Sequence, residues 1–146
     1  MAIPINYIEI RFFAHATEDV EKVVEAVKHI FPARFAEEIT FKRSKLEGYY
    51  GNPIIAFETS IKDKDFIKAF VENLVLNLSP LEKESLLNGM ERCFDKGSLY
   101  IRLDKQAAFS GEVRLYEADS IHLRLRFSKN KLEDVKRICR DLGIIP

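Results

Sequence analysis

Ile121-His122-Leu123-Arg124-Leu125-Arg126-Phe127 decides the fold. Its apolar residues alternate strictly with His122, Arg124 and Arg126, the period-two signature of a strand with one dry face and one wet face. The same pattern recurs upstream, where Leu99, Ile101 and Leu103 alternate with Tyr100, Arg102 and Asp104. Near the N-terminus, Ile8, Ile10 and Phe12 alternate with Glu9 and Arg11. Ile39 and Phe41 mark a further strand, Ile54 to Ile61 another, and Val113 with Leu115 a short one.

Between these strands the apolar period switches to that of helices. Val20, Val23, Val24, Val27 and Ile30 form one stripe, with Thr17 expected as its cap and Glu18, Asp19 and Glu21 in its first turn. Asp63 opens a second helix, on Phe66, Ile67, Phe70, Val71 and Leu74. Ser79-Pro80-Leu81-Glu82 is a capping box with proline at the first helical position. It starts a third helix that buries Leu86, Leu87, Met90, Cys93 and Phe94 and stops at Gly97. Lys105 to Phe109 reads as one helical turn stopped by Gly111. A last helix uses Leu132, Val135, Ile138, Cys139 and Leu142, with Asn130 and Glu133 as its capping box and Gly143 as its stop.

Strands that follow one another without a helix pair antiparallel, and helices with a single apolar stripe must cover one face of their sheet. The expected class is α+β: two layers, a mainly antiparallel sheet with helices packed on one face. Residues 1–146 form one domain, a length sufficient for a substantial core. The other sheet face is wet and carries Tyr7, Glu9, Arg11, Tyr100, Arg102, Asp104, His122, Arg124 and Arg126. Which of these are neighbours depends on strand pairing, which alternation alone does not reveal.

Hydrophobic residues at 47% and charged residues at 32% describe a soluble globular chain. Its 23 basic and 23 acidic side chains cancel, which argues against strong, indiscriminate nucleic-acid binding but leaves room for a local basic face. No apolar run reaches the roughly 20 residues of a membrane span. The N-terminus lacks a basic region followed by an apolar stretch, so an intracellular, cytoplasmic protein is expected. Cys93 and Cys139 fall at apolar helical positions and read as buried free thiols.

Catalytic patterns are missing. No glycine-rich phosphate loop and no nucleophile elbow occur, and Glu37-Glu38 reads as a solvated loop. His15, in His15-Ala16-Thr17-Glu18-Asp19, reads as a structural or contact residue at a strand end, its two acidic neighbours serving the helix dipole. No Cys/His spacing suggests a metal, and no cofactor is expected.

Recognition is better supported. Gly48-Tyr49-Tyr50-Gly51-Asn52-Pro53 joins two strands and combines backbone freedom, two tyrosine planes and an amide. Arg102-Leu103-Asp104-Lys105-Gln106-Ala107-Ala108 ends a strand in charged and amide groups. Arginine forks onto phosphate or stacks on a base, and tyrosine offers a stacking plane. An ordinary solvated sheet face of mixed charge is the plain alternative.

Three segments carry a resemblance. His15-Ala16-Thr17-Glu18-Asp19, Gly48-Tyr49-Tyr50-Gly51-Asn52-Pro53-Ile54, and Leu99-Tyr100-Ile101-Arg102-Leu103-Asp104-Lys105-Gln106-Ala107-Ala108 with Gly111-Glu112 occur in this order. Over roughly Tyr7 to Phe127 the chain resembles the archaeal RNA-binding proteins described as predicted exosome subunits. The resemblance implies a fold similar to that of a ribosomal-RNA-binding ribosomal protein. It implies a non-catalytic RNA binder in RNA processing, degradation or ribosome biogenesis, with exosome or ribosome-biogenesis proteins as partners. Members often carry histidine where this chain has Tyr49, so a role needing an imidazole there is not carried over. The expected RNA contacts are Arg102, Lys105, Arg124 and Arg126 for phosphate or stacking, Tyr49, Tyr50 and Tyr100 for aromatic planes, and Asn52 and Gln106 for hydrogen bonds. A protein-protein adaptor using the same tyrosine- and arginine-rich face is the alternative.

Overall fold

The computed structural model describes residues 3–48 and 51–146. The elements are β1 (Ile5–Ala14), α1 (Val20–Lys28), α2 (Ala33–Ala36), β2 (Lys42–Glu47), β3 (Pro53–Ile61), α3 (Lys64–Asn77), α4 (Pro80–Gly89), β4 (Phe94–Asp95), β5 (Ser98–Asp104), α5 (Lys105–Ala108), β6 (Ser120–Phe127) and α6 (Leu132–Leu142). The six strands form a single sheet in the order β2-β3-β1-β6-β5-β4, antiparallel at every pairing. The fold is α+β, as the alternation and the helical stripes require.

One face of the sheet is the core. Ile8, Ile10 and Phe12 of β1, Phe57 and Ile61 of β3, Leu99, Ile101 and Leu103 of β5, and Ile121, Leu123, Leu125 and Phe127 of β6 are all buried. α1, α3 and α6 bring Val23, Val27, Phe66, Phe70, Leu74, Val135 and Cys139 into the same cluster. Phe12 is stacked on Phe57 at 4.8 Å and meets Phe41 edge-on at 5.1 Å.

Local chemistry explains the helix starts. Asp63 caps α3 through Asp65 and Phe66, and Ser79 and Glu82 close the expected capping box on α4. Gly143, with φ 86°, ends α6 in the left-handed conformation that glycine tolerates.

Several expectations are corrected. Asp19, not Thr17, caps α1, because its carboxylate accepts from Glu21 N and Lys22 N. Ile39 and Phe41 precede the second strand instead of forming it; β2 begins at Lys42 and is exposed throughout, as an edge strand can be. α4 ends at Gly89 and has no buried residue of its own, although Met90 just beyond it is buried. Phe94 and Asp95 turn back onto β5 through Lys96 (φ 47°) and Gly97 (φ 95°), so Cys93 is exposed and not part of the core. Val113 and Leu115 form no strand, only a bridge from Leu115 to Leu103. Asn130 does not cap α6; its side chain accepts from Arg126 Nη2 at 3.2 Å.

Candidate nucleic-acid interface

Strand order turns the wet-face residues into rows. Antiparallel register aligns Arg11 of β1, His122 of β6 and Arg102 of β5. The next row is Glu9, Arg124 and Tyr100, and the third is Tyr7, Arg126 and Ser98. Neighbouring strands stand about 4.8 Å apart, so each row spans only about 10 Å across three strands.

The central row is held by Arg124. Its Nε donates to Ser98 Oγ at 3.0 Å, and its Nη1 lies 3.5 Å from Glu9 Oε1. The guanidinium carbon sits 5.9 Å from the ring centres of both Tyr7 and Tyr100. Tyr100 remains 42% exposed, so it keeps an open ring surface. Arg126 donates through Nη1 to the carbonyl of Lys96 and through Nη2 to Asn130, which fixes it against the β4–β5 turn. A side chain at Gly97 would meet Arg126 Nη1 at 2.7 Å and Lys129 O at 2.8 Å, so the turn must approach this closely without one. Arg102 donates from Nη1 to the neutral carbonyl of Glu117 at 3.2 Å. The Arg11 side chain is exposed and makes no hydrogen bond or ion pair among the described residues.

Burial lowers the pKa of His122 below its usual value, and the Arg102 and Arg11 charges lower it further, with Asp119 opposing. The imidazole between the two arginines is therefore biased towards its neutral form.

The segment before β6 extends this face. Asp104 N donates to Arg114 O at 2.7 Å and Tyr116 N to Arg102 O at 3.1 Å. The Leu103–Leu115 bridge thereby sets Arg114 beside Asp104 and Tyr116 beside Arg102. Tyr116 is exposed and is not among the residues singled out in the sequence, where the Val113–Leu115 alternation before it is too short to define a wet face.

Lys105 is corrected. Instead of reaching outward from the strand end, it is fully buried. Its ammonium donates to Phe13 O at 2.8 Å, to Glu18 Oε1 at 2.9 Å, and meets Asp119 Oδ2 at 2.9 Å, using all three donors. Glu18 Oε1 also accepts from His15 N at 2.9 Å, and His15 Nε2 lies 3.3 Å from Asp119 Oδ1. The cluster ties the end of β1, the turn before α1, the start of α5 and the turn before β6. His15, Glu18 and Asp119 place ligand atoms within 4.8 Å of one another, a spacing that suits a cation. The Lys105 ammonium already sits between the two carboxylates. Burial raises the Asp119 pKa, but the hydrogen bond and charge of Lys105, then those of His15, outweigh it and hold the carboxyl below its ordinary value.

Of the other expected contacts, Gln106 is exposed on α5, its backbone N capped by Asp104 Oδ1 at 2.9 Å. Asn52 is exposed on the β2–β3 hairpin, where its carbonyl accepts from Gly48 N at 2.7 Å. Pairing of Ile55 with Ala14 sets this hairpin at the sheet end where β1 finishes, the end at which α5 begins, but three strands from β5. Tyr49 and Tyr50 lie outside the described residues. Tyr100, Arg102, Arg124 and Arg126 are thus brought together, whereas Asn52 stands apart from them.

The geometry defines a two-layer α+β protein with an open, arginine- and tyrosine-lined sheet face, a surface suited to recognition. The chain belongs to the RNA-binding family, whose model, described as RNA binding, matches residues 7–127. It is 43% identical to the RNA-binding protein PAB1135 of Pyrococcus abyssi over 122 residues, which cover 82% of this chain and 79% of that protein. It is 33% identical to the uncharacterized protein MJ0213 of Methanocaldococcus jannaschii, covering 95% and 99% of the two chains. The crystal structure of protein AF2318 from Archaeglobus fulgidus superposes with a TM-score of 0.78 at 35% identity, covering 94% of this chain and 99% of that one. No helix among the described residues is long and apolar enough to cross a membrane.

Proposed function

We propose that the protein is a non-catalytic, cytoplasmic RNA-binding protein that holds RNA against the open face of its sheet. One observation carries the reading: register gathers four arginines, two tyrosines and His122 into three adjacent rows on the face that no helix covers. Guanidinium groups pair with phosphate, and Tyr100 offers a ring for a base. Family membership and the name of the Pyrococcus abyssi relative support the same ligand. Arg114 and Tyr116 extend the surface along the outer edge of β5.

The setting we propose is RNA processing, degradation or ribosome biogenesis, with exosome or ribosome-biogenesis proteins as partners. It rests on the resemblance of the His15–Asp19, Gly48–Ile54 and Leu99–Glu112 segments, as does the proposed likeness to a ribosomal-RNA-binding ribosomal protein.

Binding of a labelled oligoribonucleotide at several salt concentrations tests the face. Because the chain carries no net charge, few phosphate contacts are expected. Changing Arg102 to alanine weakens binding and flattens the log-log salt slope by roughly 0.7 to 0.9. Unchanged affinity and slope in a folded variant would remove Arg102 from the RNA site. Copurification of a protein partner after nuclease treatment would then favour the adaptor reading.

A further inference from the structure

The four arginines of the open face differ in what already occupies them. Arg124 is spent on Glu9, Ser98 and two tyrosine rings, and Arg126 on Lys96 O and Asn130. Arg102 keeps one contact, to a neutral carbonyl, and Arg11 keeps none among the described residues. These two under-used cations flank His122 in one row.

We propose that Arg11, His122 and Arg102 form a phosphate-binding row, in which a backbone phosphodiester lies over His122 between the two guanidinium groups and its binding is coupled to protonation of the imidazole. The inference rests on the RNA reading for the identity of the ligand and adds the position and chemistry of one subsite. Adjacent strands about 4.8 Å apart let two long arginine side chains lean over the shorter central histidine. Burial and, after it, the charges of Arg102 and Arg11 disfavour the charged imidazole; a phosphodiester there offsets the arginine repulsion and accepts a hydrogen bond from the protonated form. The groups facing His122 are Arg102 from β5, Arg11 from β1, Arg124 along β6 and Asp119 from the preceding turn, with Glu9, Asp104 and Tyr100 on the diagonals and Glu58 of β3 beyond Arg11. Asp119 is held by Lys105 and His15, so it is not a free counter-ion for the row.

The sign follows. If the bound-state pKa of His122 lies above its free value, affinity rises as pH falls through that interval. A rise of one unit makes binding about tenfold tighter at the acid limit than at the alkaline limit.

The test is an NMR titration of the three histidine imidazoles in the full chain, alone, with dimethyl phosphate at matched ionic strength, and with a short single-stranded oligoribonucleotide. His15 and His29 are internal references. The expected result is an upward shift of His122 with both probes, RNA affinity that rises on acidification, and loss of that pH dependence in His122→Gln. In Arg11→Ala the free imidazole titrates higher and the ligand-induced rise shrinks. RNA binding with an unmoved His122 overturns the phosphate row and leaves the RNA reading standing. No RNA binding at any pH overturns the RNA reading. The row is then judged by dimethyl phosphate alone: a shift of His122 supports an anion site and no shift overturns it.

Discussion

Replacing Lys105 by methionine removes an ammonium that joins four separate segments of the chain. The side chain is completely buried, and its ammonium holds Phe13 O, Glu18 Oε1 and Asp119 Oδ2 within 2.8–2.9 Å. Methionine fills most of the volume of the stem, so the loss is chiefly electrostatic. Removing one partner of a buried ion pair costs about 3–5 kcal/mol, because the other charge is left desolvated. Here the orphaned carboxylates are not fully dry: Glu18 is 19% exposed and Asp119 41%, so water recovers part of the loss. The low end, about 3 kcal/mol, is the expectation, and for a chain of this size that lowers Tm by about 6–12 °C.

The loss depends on pH. Asp119 has a folded pKa below its unfolded value, so its contribution is full above the unfolded value, about 3.9, and disappears as pH falls through the folded one. Lys105→Met should therefore melt much lower than the parent at pH 7, and the gap should narrow towards pH 3. Glu82 also has a lowered pKa: burial raises it, but hydrogen bonds from Leu115 N and Ser79 outweigh burial. Its acid-side loss persists in the variant. Denaturant melts with circular dichroism between pH 3 and 7 measure both effects. A variant within about 1 kcal/mol of the parent at pH 7 would refute the reasoning and make Lys105 a tolerated burial instead of a tie.

Two further outcomes are expected. Ser79→Ala removes the Oγ that accepts from Glu82 N at 3.2 Å and should cost about 1 kcal/mol in the same melts. Thiol labelling of the native protein should proceed at the exposed Cys93 alone, since Cys139 is buried and its pKa is pushed up to about 12; the second thiol should react only on unfolding.

Alternation in β1, β5 and β6 made the core face and the wet face legible because one methylene-rich side and one charged side leave a period of two. Pairing was not legible. Nothing in Arg11, His122 or Arg102 alone says that they share a row, since the register comes from the order β3-β1-β6-β5. β2 was displaced by a few residues because an edge strand exposed throughout carries no alternation, whereas Ile39 and Phe41 are apolar for reasons of loop packing. Phe94 continues the apolar spacing of the third helix in the sequence, but a two-residue turn through Lys96 and Gly97 makes it part of a hairpin. The burial of Lys105 is the feature of the candidate site least legible in the sequence. A lysine after a strand reads as exposed, and its partners Glu18 and Asp119 lie on other segments, Glu18 being 87 residues away. The helical stripe of α5 offered no warning, because four residues are too few to define one.

The central claim is that RNA lies on the open sheet face. Chemical-shift mapping of the labelled protein during titration with a short oligoribonucleotide tests it most directly. The account predicts the largest changes at Arg11, Tyr100, Arg102, Tyr116 and His122, with Val23, Phe70 and Cys139 in the core beneath the helices unmoved. Changes confined to the outer surfaces of α1, α3 and α6, with the three rows silent, would contradict it.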